Sequence, residues 1–170
     1  MISRCTVGVG QDAFHRTGRG TLIHKIDREL WIPRPLEEVF EFFSDAFNLE
    51  ALTPPHFGFR VVTPRPIEVK AGALIDYKLK VNGIPLGWTT RIETWDPPHG
   101  FSDIQLRGPY KLWHHTHTFT ETGGGTKIAD HVEYQLPLGF LGDLAHKLWV
   151  RRDVESIFAY REKIIRERFS

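Results

Sequence analysis

The sequence predicts an α+β domain in which a curved antiparallel sheet of about seven strands surrounds one long C-terminal helix. Between residues 59 and 136, short runs of alternating apolar and polar residues are separated by turn residues, which is typical of an antiparallel meander. From residue 139 onward the apolar residues recur with a period near 3.6, which indicates a helix. A sheet that curves over a helix leaves a gap between the two layers, and a ligand is expected there.

One strand and two short helices precede the meander. The first strand is predicted over Thr21–Trp31, where apolar and polar residues alternate imperfectly, and Pro33 ends it. Leu36–Ser44 carries apolar residues at i, i+3, i+4 and i+7 and predicts a short amphipathic helix. A second short helix is expected over Ala46–Leu52, because the residue before Pro54 is pushed out of the helical region.

Six strands are predicted in the meander. They cover Phe59–Thr63, Leu74–Val81, Leu86–Trp95, Phe101–Arg107, Leu112–Thr122 and Thr126–Leu136. Asn82-Gly83 predicts a tight hairpin, since both central residues of a type I′ turn need positive φ, and the glycine run Gly123–Gly125 predicts another. Gly139 begins the long C-terminal helix.

Length and cysteine content limit the class of protein. The 170 residues fit one domain, predicted over residues 21–170, after a poorly ordered leader of residues 1–20 that has few large apolar side chains. Cys5 is the only cysteine, which excludes an intrachain disulfide and a zinc site built from cysteines.

Charge and hydropathy indicate the surroundings of the protein. The formal net charge of +1 provides no field that would attract nucleic acid, and basic residues near the C-terminus alternate with acidic ones at spacings that favour i,i+4 pairs. No apolar run reaches the ~20 residues that span a membrane, so we expect a cytoplasmic protein without a membrane span. We also expect no nucleic-acid partner. A monomer and a homodimer through exposed strand edges both stay open.

Polar and aromatic side chains recur on common faces of two neighbouring strands. Strand parity places Asp103 with Gln105, and on the next strand it places Trp113 with His115 and His117. A buried polar group must find a hydrogen-bond partner, and ligand pockets combine a few such groups with large apolar rings. These faces are therefore candidates for the lining of a pocket.

The two histidines of this stripe allow two interpretations. His115 and His117 have the spacing of some metal sites, to which Asp103 or Asp130 could add a ligand. Any strand places residues i and i+2 side by side, however, so the spacing does not by itself show a metal site. We expect a hydrogen-bonded network of the histidines with Asp103, Asp130 or Tyr134, with no metal and no other cofactor.

Three motifs give the chain a resemblance to a known superfamily. They are Leu52-Thr53-Pro54-Pro55, Asp103-x-Gln105-x-x-Gly108-Pro109-Tyr110-x-x-Trp113-x-His115-x-His117 and Gly125-Thr126-x-Ile128-x-Asp130-x-Val132-x-Tyr134-x-x-Pro137-x-Gly139. With the predicted order of elements over residues 22–169, they resemble the START and polyketide-cyclase-like (SRPBCC) superfamily, in particular its bacterial ligand-binding subfamily. The resemblance implies the helix-grip fold of the birch-pollen allergen, with a deep apolar cavity between the sheet and the C-terminal helix.

The function expected from the residues and the resemblance together is binding of a small hydrophobic or aromatic molecule. The candidate ligand-binding residues are Trp88, Asp103, Gln105, Tyr110, Trp113, His115, His117, Asp130, Tyr134, Phe140 and Leu144. The alternative is a metal-free cyclase or dehydratase acting on a polyketide-like or aromatic substrate, with His115 or His117 as the base and Asp103 or Tyr134 as the acid. A third interpretation is a non-catalytic interaction module whose cavity is filled by side chains.

Overall fold

The computed structural model describes residues 22–138, 144 and 149–170. The elements are β1 (His24–Ile32), α1 (Leu36–Ser44), α2 (Asn48–Leu52), a 3₁₀ turn (Pro55–Phe57), β2 (Arg60–Val61), β3 (Leu74–Val81), β4 (Ile84–Asp96), β5 (Gly100–Arg107), β6 (Leu112–Thr122), β7 (Gly125–Gln135) and α3 (Arg151–Arg168). The predicted leader of residues 1–20 lies outside the described residues.

All seven strands belong to one antiparallel sheet, as predicted. Their order is β1-β7-β6-β5-β4-β3-β2, so β1 and β2 form the two edges, and short connections join β3 through β7 as consecutive hairpins. The long helix α3 buries Val154, Phe158 and Ile165, and these side chains join the apolar clusters of the sheet. The expected α+β architecture is confirmed.

Two hairpins form where the sequence predicts them. Asn82 and Gly83 have φ values of 51° and 80°, and Gly123 and Gly124 have φ values of 59° and 77°. These left-handed conformations match the twist of the flanking strands, and asparagine and glycine adopt them at the lowest cost. Local sequence therefore determines the β3–β4 and β6–β7 connections.

Helix α1 covers one end of the sheet. Its buried residues Leu36, Val39, Phe40 and Phe43 have the predicted helical spacing. Two glutamates in the first turn stabilise the helix by interacting with the positive end of its dipole. The ring of Phe40 contacts that of Phe119 on β6 at 5.5 Å. This aromatic packing fixes one end of the space between the sheet and the helices.

The predicted strand Phe59–Thr63 is too long. Only Arg60–Val61 pairs with β3 as a strand, because Gly58 has a left-handed φ of 51° and the Thr63 hydroxyl accepts the Asp76 N–H, which ends the regular ladder. The chain leaves the sheet edge at this point.

The C-terminal helix is described from Arg151 to Arg168, whereas the sequence predicts that it begins at Gly139. Residues 139–143 and 145–148 lie outside the described residues. The exposed face of α3 carries the expected i,i+4 ion pairs, among them Arg151–Glu155 at 2.9 Å and Arg166–Glu162 at 2.8 Å. No helix in the described part of the chain is long and apolar enough to cross a membrane.

Candidate functional site

A cavity of about 210 Å³ lies between the concave face of the sheet, the short helices and α3. Most of its wall is apolar and aromatic. Ring-bearing lining residues include Phe43, Phe57, Phe59, Tyr77, Trp88, Trp95, Phe101, Tyr110, Trp113 and Phe158. The polar lining is concentrated on β5, β6 and α3, with Asp103, His115, His117, Asp153 and Arg161. The cavity thus has an extended apolar wall and a small set of polar groups.

Strand β4 contributes to the wall through two irregularities in its pairing with β5. Trp88, Thr90 and Ile92 line the cavity with period two, but the next lining residue is Trp95. The register shifts between Ile92 and Thr94, and such a bulge moves the following side chain to the opposite face. Both Trp88 and Trp95 therefore face inward, which strict alternation does not allow.

Three large rings pack together at one end of the cavity. Trp88 and Trp113 meet edge to face with centroids 5.3 Å apart, and Tyr110 lies 4.9 Å from Trp113. The Trp88 Nε1–H donates to the Thr90 hydroxyl at 2.9 Å, so this polar atom is satisfied within the wall. Burial raises the pKa of the Tyr110 hydroxyl, which is therefore neutral at physiological pH. These rings form an uncharged aromatic surface.

Gln105 holds Tyr110 in this position. Its side-chain amide donates to the Tyr110 carbonyl at 2.6 Å and accepts the Tyr110 N–H at 3.3 Å. A Cβ at Gly108 would overlap the Gln105 side chain, so glycine permits this close approach. Gln105 therefore acts through the loop and does not line the cavity itself.

Four side chains on three adjacent strands form a polar cluster, here called the polar floor, namely Asp103, His115, His117 and Asp130. The first three line the cavity, and Asp130 lies behind them. In the sheet, Asp103 pairs with His115 and Asp130 pairs with His117, so the two carboxylates stand on opposite sides of the histidine pair. The imidazole rings are 3.8 Å apart. The sheet register thus creates an array that the sequence of one strand cannot show.

Each imidazole of the polar floor faces both carboxylates. Asp130 Oδ1 lies 3.0 Å from His115 Nε2 and 2.7 Å from His117 Nδ1, although the latter contact is not aligned as a hydrogen bond. The opposite nitrogens face Asp103 Oδ2, at 3.9 Å from His115 Nδ1 and 3.7 Å from His117 Nε2. The contacts to Asp130 are therefore close, whereas those to Asp103 are longer than hydrogen bonds.

Burial and neighbouring charges give the two histidines opposite pKa shifts. Burial and the neighbouring charge of His117 lower the pKa of His115 to about 4. Burial also opposes a charge on His117, but the carboxylates of Asp130 and Asp103 outweigh it and raise its pKa. Burial would raise the pKa of Asp130, but the positive charges of Arg161 and His117 hold it well below its usual range. The polar floor thus contains a neutral and a readily protonated imidazole.

Six of the predicted ligand-binding residues line the cavity. They are Trp88, Asp103, Tyr110, Trp113, His115 and His117. The structure thus brings together aromatic and polar groups that the sequence singled out from separate strands. Phe140 lies outside the described residues.

Four other predicted residues are not part of the cavity lining. Gln105 positions Tyr110, and Asp130 lies behind the histidines. Tyr134 is buried behind Trp113 and Tyr110, with ring centroids 5.9 and 5.7 Å away. Leu144 is 50% exposed. Parity gives the residues that share a face of a strand, but not which of them are covered by other side chains.

The alternation of charges predicts a solvated helix face for the basic residues near the C-terminus, but for Arg161 this is wrong, because it lines the cavity and is only 8% exposed. Its guanidinium carbon lies 5.2 Å from the centre of the Phe43 ring. A signal was present, because Val154, Phe158, Arg161 and Ile165 follow the i, i+4, i+7, i+11 spacing of one helix face. A charged residue within an apolar helix stripe is a candidate for a buried functional or structural charge.

Comparisons with known proteins agree with this architecture. A family model described as polyketide cyclase / dehydrase and lipid transport matches residues 24–160. A search of curated proteins finds no match.

Three solved structures share the fold at low sequence identity. Protein TTHA0849 from Thermus thermophilus is 21% identical, with a TM-score of 0.62, over 86% of this chain and 99% of that one. Protein CV1439 from Chromobacterium violaceum is 15% identical, with a TM-score of 0.66, over 86% and 97% of the respective chains. The Zhui aromatase/cyclase from a Streptomyces species is 14% identical, with a TM-score of 0.62, over 85% and 94%. The described domain therefore has the helix-grip fold.

Proposed function

Since the chain belongs to the polyketide cyclase/dehydrase and lipid-transport family, we propose that it binds a small hydrophobic or aromatic molecule in the cavity between the sheet and α3. The observation that supports this most is the separation of the lining into an aromatic wall and a polar floor. Apolar contact provides most of the affinity in such a site, and a few polar groups orient the ligand. A cytoplasmic location stays a prediction.

The volume of the cavity shows that it can hold at least one aromatic ring. A cavity of about 150 Å³ lined by apolar side chains accommodates benzene. The space here is about 210 Å³, so it has room for a substituted aromatic ring or a short aliphatic chain. Trp88, Tyr110 and Trp113 would contact such a ring by edge-to-face or offset packing.

We expect the neutral apolar probe N-phenyl-1-naphthylamine to bind saturably and to quench tryptophan fluorescence. Trp113→Ala removes a ring from the cavity wall, and we expect it to weaken binding about tenfold, since an aromatic contact contributes up to ~1.5 kcal/mol beyond area burial. Trp31→Ala is the matched control, because Trp31 is 45% exposed and lies outside the lining. Binding that does not saturate, or that Trp113→Ala leaves unchanged, would contradict this site.

The contact between Gln105 and the backbone of Tyr110 predicts that a residue outside the cavity affects ligand binding. Gln105→Ala removes two hydrogen bonds to Tyr110, each worth ~0.5–1.5 kcal/mol, and so releases a ring of the wall. We expect probe affinity to fall about threefold to tenfold with the cavity residues themselves intact. Leu106→Ala is the control, because Leu106 is an exposed neighbour on β5. Equal probe affinities of Gln105→Ala and Leu106→Ala would show that Gln105 does not position Tyr110.

The polar floor supports a second candidate, a cyclase or dehydratase. His115, His117 and Asp103 reach the cavity, so a base and an acid could act on a bound substrate, whereas Tyr134 does not line it. The role of acid therefore falls to Asp103 among the residues proposed from the sequence. Turnover of polyketide-like or aromatic compounds with a bell-shaped pH profile would support this candidate, and binding without turnover across such a panel would exclude it.

A further inference from the structure

The polar floor has a geometry that a hydrogen-bonded network alone does not explain. Both histidines place one nitrogen within 3.0 Å of Asp130 Oδ1 and the other toward Asp103 Oδ2. The two sides of the imidazole pair are thus unequal. One side is a close contact with a carboxylate, and the other side is a gap bordered by three donor atoms.

The gap has dimensions that suit a metal ion. One donor atom each from Asp103, His115 and His117 lies within 4.8 Å of the other two, and the two measured separations to Asp103 Oδ2 are 3.7 and 3.9 Å. Two ligands bound to a tetrahedral zinc ion at 2.0–2.1 Å are about 3.4 Å apart. The two separations to Asp103 Oδ2 therefore exceed that distance by about half an ångström or less, and the imidazole nitrogens lie within 4.8 Å of each other.

Asp130 occupies the position of an orienting carboxylate. A histidine that binds a metal commonly donates its other ring N–H to a carboxylate, which fixes the tautomer and turns the ring lone pair toward the ion. Asp130 contacts the far nitrogens of both His115 and His117, and its own charge faces Arg161 on α3. Both rings are thereby turned with the remaining nitrogen toward Asp103.

The candidate ligands are also accessible from one side only. Asp103, His115 and His117 line the cavity, whereas Asp130 lies behind them. An ion held by these three residues would keep an open coordination position on the cavity side. Three protein ligands with an open position are typical of zinc sites that bind a further molecule and of two-histidine, one-carboxylate iron sites.

We propose that Asp103, His115 and His117 bind a divalent transition-metal ion of the zinc or iron class, with Asp130 as a positioning residue and the open position directed at the ligand cavity. This assignment differs from the metal-free network expected from the sequence, because the strand pattern does not reveal the distances between β5 and β6. It does not depend on the identity of the apolar ligand.

The direct test uses Co²⁺ as a spectroscopic probe and Zn²⁺ as a competitor. The full chain is treated with EDTA, dialysed and titrated with Co²⁺. We expect saturation at one ion per chain, intense visible ligand-field absorption that Zn²⁺ abolishes, and two exchangeable, hyperfine-shifted imidazole N–H resonances. These two resonances arise from the protons that face Asp130 and require no variant. A weak aqua-cobalt spectrum, or fewer than two such resonances, would overturn the assignment.

Substitutions identify the ligands. Asp103→Asn and His117→Gln should each weaken Co²⁺ binding at least about 10–100-fold, the range found when even an orienting residue is lost. His114→Ala is the matched control, because His114 is on the same strand, contacts Glu93 at 3.1 Å and does not line the cavity. Circular dichroism verifies that each variant is folded, and unchanged Co²⁺ affinity in a folded Asp103→Asn protein would overturn the proposal. Binding of N-phenyl-1-naphthylamine to the metal-free protein, measured in parallel, tests the proposed function separately.

Discussion

Asp130→Asn should lower the free energy of unfolding by about 3–5 kcal/mol, the cost of removing one partner from a buried charge network. The Asp130 side chain is 10% exposed, contacts both His115 and His117, and has Arg161 as a further neighbouring charge. Without the carboxylate, the buried guanidinium of Arg161 loses a neighbouring counter-charge, and any proton on His117 keeps only the more distant Asp103 carboxylate. Urea denaturation at neutral pH, with EDTA present, measures the change.

A surface carboxylate provides the control for this experiment. Asp27 on β1 also contacts a histidine, His131, at 2.5 Å, but its side chain is 74% exposed. Exposed ion pairs contribute little, so Asp27→Asn should change the unfolding free energy by no more than ~1 kcal/mol. Similar values for Asp27→Asn and Asp130→Asn would show that Asp130 does not serve as the buried counter-charge of the polar floor.

Phe119→Ala should destabilise the fold by about 3–5 kcal/mol, because the surrounding structure cannot fill the space left by a buried ring. Phe119 is 1% exposed, and its ring contacts those of Phe43 at 5.1 Å, Phe40 at 5.5 Å and Phe101 at 6.2 Å. It therefore joins α1 to the centre of the sheet. The midpoint and slope of a urea transition give the change in the free energy of unfolding.

Two further variants separate cavity formation from a general effect of losing an apolar side chain. Phe119→Leu retains most of the buried volume and should cost less than Phe119→Ala. Leu74→Ala removes a side chain that is 54% exposed and should have an effect within about 0.5 kcal/mol. Equal losses for Phe119→Ala and Leu74→Ala would contradict the position of Phe119 in the core.

The residues whose structure could be predicted are those governed by their immediate neighbours in sequence. Asn82-Gly83 forms its turn because few other residue pairs adopt left-handed conformations at so low a cost. The apolar spacing of Leu36–Ser44 correctly gave the buried face of α1, since a helix places residues i, i+3 and i+4 together. Because side chains alternate between the two faces of a strand, His115 and His117 share one face of β6, and both side chains line the cavity.

Burial depth within a face could not be predicted in the same way. The sequence predicts both Tyr134 and Tyr110 as site residues, but Tyr110 lines the cavity, whereas Tyr134 is covered by its neighbours. Parity with Asp103 predicts that Gln105 also faces the cavity, yet the Gln105 side chain instead holds the loop that follows it. Both outcomes depend on the space left by other elements, which periodicity does not encode.

Local conformational preference and the period of apolar residues are enough to predict the fold class, the order of the elements and which side chains of β6 share a face. They do not predict that the two histidines stand between Asp103 and Asp130, or that Arg161 approaches from α3. These contacts join residues far apart along the chain, so strand register and the packing of α3 set their distances.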